Sequence, residues 1–240
     1  MHYIKNFFLI CLCITFVPLA TAQDVEDIHN QGVDAFSNGN YNKAAKYLQK
    51  ACDNGSAQSC GALGSMYYFG QGVKQNYVQA LKLGEQSCND GFVPACFNVA
   101  ILYDEPHVGI KQNYTKSAQF FEKSCIDDFT AGCASAGVAY HKGIGVKHDY
   151  DKAAKYHRKA CDDNVGVACR NLAILYQNNQ INSTDNKNIC YAVNFFEKAC
   201  NFGDQKSCEV IRKFKEEYEE IRRMRILSTF DIECNGVIKQ

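Results

Sequence analysis

The chain has 240 residues, long enough for one extended or two compact domains, and its 26 basic and 26 acidic residues cancel. That balance leaves no basic surface for nucleic acid. Beyond the N-terminal stretch, no apolar segment suggests a membrane span.

Residues 1–22 read as a secretory signal peptide. His2 and Lys5 make a weakly basic start, "NFFLICLCITFVPLA" is the apolar run, and Ala20-Thr21-Ala22 is an A-x-A cleavage site. The run is shorter than the roughly 18–20 residues that cross a bilayer. Cleavage near Ala22 and a periplasmic or secreted location are therefore expected, with Cys11 and Cys13 leaving in the leader. The cysteines that remain, in an exported chain, point to disulfides because those compartments are oxidising.

The next elements are two helices, Asp24–Gly39 and Tyr41–Cys52. In the second, Tyr41, Ala44, Ala45, Leu48 and Cys52 fall on one apolar stripe at helical spacing. The pattern then repeats. C-x7-C pairs stand at Cys52/Cys60, Cys88/Cys96, Cys125/Cys133, Cys161/Cys169 and Cys200/Cys208, one unit every 36–39 residues. Between them, "YYFGQGVKQNY" (Tyr67–Tyr77), "YDEPHVGIKQNY" (Tyr103–Tyr114) and "YHKGIGVKHDY" (Tyr140–Tyr150) are versions of one connection, and the fifth unit's "YQNNQINSTDNKNI" is longer and lacks the glycines. Each unit carries a second helix, seen in Cys60, Leu63, Gly64 and Tyr67. Gly64, Ala100, Gly137 and Ala173 share one position in it, where a small residue lets two helices approach closely. A lone hairpin cannot cover its own apolar face, so the units must stack.

The expected fold is an all-α solenoid of five helical hairpins over residues 23–203. A charged capping helix (Asp204–Leu227) and tail would occupy 204–240.

On a continuous helix, residues eight apart lie about 12 Å apart, whereas a disulfide needs Cα atoms roughly 4.4–6.8 Å apart. The chain must therefore turn back between each pair. Asp53-Asn54-Gly55, Asn89-Asp90-Gly91 and Asp162-Asp163-Asn164 are residues that end helices and make turns. The pairs read as structural staples joining one hairpin to the next. Zinc would want shorter cysteine spacing with histidines nearby, and a redox centre C-x-x-C; no metal or cofactor is expected. Cys190 and Cys234 stand outside the pattern, as a sixth bridge, free thiols or an intermolecular link.

The pattern A-x-x-Y/F-x-x-K-A/S-C-x-x-G-x-x-x-x-C-x-x-L-G-x-x-Y-x-x-G-x-G-V resembles Sel1-like repeats, disulfide-bearing relatives of the tetratricopeptide repeat. With a leader and C-x7-C in every unit, the chain is similar to the Helicobacter cysteine-rich protein family over Asp24 to Arg212. The resemblance implies an exported protein that binds penicillins or cell-wall fragments and hydrolyses β-lactams slowly.

The residues themselves carry no such machinery. There is no S-x-x-K, SDN, KTG or G-x-S-x-G. His29, His107, His141, His148 and His157 are scattered over different units, without the clustering a metallohydrolase needs. Any activity would need a site assembled across repeats. By the register of tetratricopeptide-like helices, the inner groove should expose Ser65, Tyr68, Asp104, His141, Lys142, Arg170 and Gln177. His141 is the candidate base there and Lys142 the carboxylate anchor. The competing reading is a non-catalytic scaffold whose groove takes a peptide or protein.

Overall fold

A computed structural model describes residues 21–126, 129–181 and 187–223, with side chains of the last helix as far as Glu217. The leader as far as residue 20, the tail beyond 223 and Cys234 lie outside the described residues. Eleven helices follow in order among the described residues: α1 (Ala22–Ser37), α2 (Tyr41–Asp53), α3 (Ala57–Phe69), α4 (Tyr77–Asn89), α5 (Val93–Asp104), α6 (Tyr114–Ile126), α7 (Thr130–Lys142), α8 (Tyr150–Asp162), α9 (Gly166–Gln177), α10 (Asn188–Asn201) and α11 (Gln205–Arg223). No strand accompanies them there, only an isolated bridge between His107 and Ile110.

Each odd helix packs antiparallel on the even helix after it, giving five hairpins, and α11 closes the stack against α10. Of the apolar stripe of α2, Ala44, Ala45, Leu48 and Cys52 are buried and Ala51 joins them, whereas Tyr41 at its head is exposed. Small residues set the spacing within a hairpin. Gly64 of α3 faces the backbone of Ala80 and Gly84 in α4, and Gly137 of α7 faces the ring of His157 in α8. Leu63, Val99 and Leu172 fill the space between hairpins and are at most 1% exposed. Burial of such a side chain contributes about 1.5–3 kcal/mol relative to exposure.

Four of the turns that follow an even helix share one device among the described residues. After α2, the amide of Gly55 donates to the Cys52 carbonyl (2.9 Å) and that of Ser56 to the Ala51 carbonyl (3.0 Å). This pair of bonds closes a helix C-terminus through a left-handed residue. Gly91 and Gly203 repeat it, and in the fourth unit Asn164, at φ 67°, takes the glycine's place.

The reversal brings the two cysteines of each pair to Cα separations of 4.5–4.8 Å. Cys52–Cys60, Cys88–Cys96, Cys125–Cys133 and Cys161–Cys169 are bonded, each tying the even helix of one hairpin to the odd helix of the next. Cys200–Cys208 is bonded too, across the turn from the last hairpin to the expected capping helix. Cys208 belongs to α11, which has no even partner among the described residues, so this bridge fastens the cap to the last hairpin. The position in the stack also sets burial: Cys96 is 1% exposed between two hairpins, whereas Cys208 at the end of the stack is only partly buried. Cys190 is buried and also disulfide-bonded.

Within hairpins, the connection requires glycine at Gly72 and Gly145. Both have positive φ (68° and 71°), and a Cβ at either would run into the backbone of Tyr41 or Tyr114, the first residue of the preceding unit's even helix. These loops thereby seat each hairpin on its predecessor.

A polar clamp ties successive even helices. The Tyr103 hydroxyl donates to Glu85 Oε1 (2.7 Å) and accepts from Lys116 Nζ (2.9 Å). One unit later Tyr140 does the same between Glu122 (2.8 Å) and Lys152 (3.2 Å). In the next unit the Tyr176 hydroxyl accepts from Arg158 (2.7 Å). Lysines also cap the preceding unit, Lys123 Nζ reaching the Cys88 carbonyl (3.2 Å) and Lys159 Nζ that of Cys125 (2.7 Å). A cation at a helix C-terminus is favourable there.

Candidate functional site

Two cavities lie along the face formed by the odd helices. The first, about 220 Å³, lies between α3, α4 and α5, and its lining includes Ser65, Tyr68, Phe69, Asn98 and Ile101. The second, about 310 Å³, continues over α5, α6, α7 and α9 and includes Ile101, Asp104, Ser135, Val138, Val167 and Asn171. Ile101 borders both, so they form one discontinuous groove crossing repeats two to five.

The groove has a regular polar row. Asn98, Ser135 and Asn171 each stand two residues after the second cysteine of a bridge, Cys96, Cys133 and Cys169 respectively. None of the three side chains has a hydrogen-bond partner among the described residues, whereas the apolar side chains of Ile101, Val138 and Val167 lie beside them. An amide offers both a donor and an acceptor and a hydroxyl one of each. The row therefore presents donor and acceptor capacity once in each of repeats three to five.

The residues expected in the groove are distributed unevenly. Ser65 and Tyr68 line the first cavity, and Ser65 Oγ donates to the Gly61 carbonyl (3.2 Å). Tyr68 also meets the rings of Tyr77 and His107 edge-on. Burial and the Glu105 carboxylate push its phenol up, so it stays a hydrogen-bond donor at neutral pH. Asp104 lines the second cavity and accepts from Ser117 Oγ (3.2 Å). His141 and Lys142 are not brought together as a base and an anchor: Lys142 is exposed, whereas His141 is half-buried against Tyr150 and His157. Arg170 is engaged elsewhere, its guanidinium 2.6 Å from Asp204 at the start of the next unit. Gln177 is exposed at the end of α9. Asn98, Ser135 and Asn171 were missed from sequence, although their fixed distance from a cysteine was a usable signal.

A serine–histidine contact does occur, between Ser59 Oγ and His29 Nδ1 at 2.8 Å. Ser59 is wholly buried, and the adjoining surface depression is lined by His29, Ser56 and Gln58 but not by Ser59. A substrate cannot reach that hydroxyl, so the contact fastens α1 to α3. Among the described residues no group of three or more His, Cys, Asp or Glu is placed to hold a metal ion, and no helix is long and apolar enough to cross a membrane.

The pattern of five hairpins matches the Sel1 repeat at residues 27–56, 57–92, 93–127, 130–165 and 166–204. The chain belongs to the Sel1 repeat family. Two Helicobacter pylori relatives are "Putative beta-lactamase HcpE", 46% identical over 43 residues, and "Putative beta-lactamase HcpC", 34% identical over 73 residues. Those segments cover 18% and 30% of this chain but only 12% and 25% of the relatives' own length. Among solved structures, c5321, a protective antigen of uropathogenic Escherichia coli strains, superposes with a TM-score of 0.73 at 20% identity. The superposition covers 78% of this Sel1 repeat chain and 40% of c5321, and it shows a shared fold.

Proposed function

We propose that this Sel1 repeat protein is an exported scaffold that holds an extended polypeptide segment along the face of its odd helices. The observation that carries the reading is the row Asn98, Ser135 and Asn171, unpartnered and one per repeat, beside the apolar walls of two adjoining cavities. Those side chains would hydrogen-bond the ligand's backbone, and Ile101, Val138 and Val167 would take its apolar side chains. Five disulfides support residence in an oxidising compartment; leader cleavage near Ala22 is part of the same proposal.

The test is selection of peptides from a displayed random library on the oxidised protein, followed by affinity measurement. Each lost hydrogen bond is worth about 1 kcal/mol, so Asn98→Ala with Asn171→Ala should weaken selected peptides by roughly 30-fold. Peptides indifferent to the double substitution would sink the reading.

A second reading, slow β-lactam hydrolysis, is favoured by the names of the two Helicobacter pylori relatives. It would draw on the groove's Ser65, Tyr68 and Asp104, with His141 and Lys142 lining neither cavity. Penicillin turnover by purified oxidised protein that scales with concentration and falls in Lys142→Ala would favour it; no turnover would leave the scaffold.

A further inference from the structure

Four residues before the first cysteine of each pair, the even helices carry Leu48, Gly84, Phe121, His157 and Phe196. Four units place an apolar or absent side chain at that seam, and only the fourth places an imidazole. His157 is 0% exposed, and neither of its ring nitrogens has a hydrogen-bond partner. Its Nδ1–Cε1 edge lies against Gly137 of α7, so closely that a Cβ there would overlap it. Burying polar atoms without partners costs stability that a leucine would not.

The charges around it offer no relief on protonation. From α7, His141 presents its ring at 6.3 Å between centroids, perpendicular to that of His157. Lys142 and His148 stand behind His141 and disfavour its charged form too, after burial. The Tyr140 hydroxyl is held by Glu122 and Lys152, and on α8 itself Tyr156 donates to Glu122 and Arg158 to Tyr176. From α9, Arg170 is paired with Asp204. No carboxylate is among the groups that act on His157.

We infer that repeat four contains an acid-labile seam, at which protonation of His157 separates α8 from α7 while the flanking disulfides Cys125–Cys133 and Cys161–Cys169 keep α7 tied to α6 and α8 tied to α9. Burial first, and then His141, lowers the imidazole's pKa from 6.5 to about 4. The sign follows from linkage. Above about pH 6.5 neither the closed nor the opened form binds the proton; below it the opened form does, and the closed form resists until about pH 4. Opening is thus favoured progressively by acid, up to roughly 300-fold in its equilibrium constant. Because α7 supplies Ser135 and Val138 to the second cavity, opening would dismantle the middle of the groove. That consequence rests on the scaffold reading; the opening itself does not.

The test is amide hydrogen exchange of the oxidised full chain without ligand, corrected for intrinsic rates, from pH 7 to pH 4.5. Protection in α7 and α8 should fall by several-fold per pH unit below about pH 6 relative to α3 and α4, and His157→Leu should abolish the difference. Should the leucine variant not fold, His157→Phe, the residue type of repeats three and five, replaces it. Uniform protection along the wild-type chain, or the same fall in the variant, overturns the inference. So does zinc that raises protection of these helices at pH 7, since the imidazole pair would then be a metal site.

Discussion

The hydroxyl of Tyr140 donates to Glu122 Oε1 at 2.8 Å, so a tyrosine of one hairpin is anchored on a carboxylate of the hairpin before it. Tyr156 donates to the same oxygen at 2.7 Å. Glu122→Ala should leave two half-buried hydroxyls short of an acceptor and destabilise the protein by roughly 1–3 kcal/mol. Urea denaturation of the oxidised protein would measure it, and an unchanged midpoint would show that the clamp is idle.

The same clamp fixes an alkaline limit. Burial first, then the Glu122 carboxylate, raises the phenols of Tyr140 and Tyr156. A raised pKa means that the contribution is complete below the unfolded value near pH 10 and is lost as pH climbs beyond it. Stability should therefore decline above about pH 10, less steeply in Tyr156→Phe. Denaturation midpoints at pH 8, 10 and 11 would show it; parallel curves for the two proteins would contradict it.

Arg170 and Asp204 join α9 to the turn ahead of α11. Although burial pushes the Asp204 carboxyl up, hydrogen bonds from Ser207 and the Arg170 guanidinium hold it below the usual carboxylate range. Its contribution is present above about pH 4 and is lost as pH falls through the lowered value. Arg170→Ala should cost roughly 1–3 kcal/mol at pH 7, since the buried Asp204 would lose its charged donor, and should leave peptide affinity unchanged. A loss of affinity without loss of stability would instead return Arg170 to the groove.

Gly72 and Gly55 separate two kinds of glycine requirement. Both have positive φ, but a Cβ at Gly55 meets nothing within 4 Å, whereas one at Gly72 meets the Tyr41 backbone. Gly55→Ala should cost about 1 kcal/mol through backbone conformation alone, and Gly72→Ala clearly more because a hairpin must shift. Equal thermal midpoints would refute the seating of the loops.

Removing one staple by Cys125→Ser with Cys133→Ser should cost about 2–3 kcal/mol for a loop of this length. The loss should concentrate in α6 and α7, since each repeat contacts only its neighbours. Hydrogen exchange would locate it, and an even loss along the chain would count against repeat independence.

The solenoid was legible because cysteines eight apart force a reversal and because the reversal recurs. The groove was less so. Arg170 looks like a free cation until the chain is folded, since its partner lies one repeat later. Tyr103, Tyr140 and Tyr176 count as apolar stripe in sequence, while their hydroxyl partners sit on other helices. The polar row escaped notice because its position is constant but its residues vary, from Ala62 through Asn98 and Ser135 to Asn171. Periodicity reveals where a repeat must be the same; binding surfaces lie where repeats are free to differ.

The five bridges of the C-x7-C pairs cross the turns between successive units and never the loops within hairpins. A protease that cuts between Cys52 and Cys60 therefore leaves both products on one covalent molecule, with the hairpins still in register. The same cut between Gly70 and Asn76 meets no such bridge there. Of the two edges of the stack, one is armoured against nicking and the other is where degradation can begin.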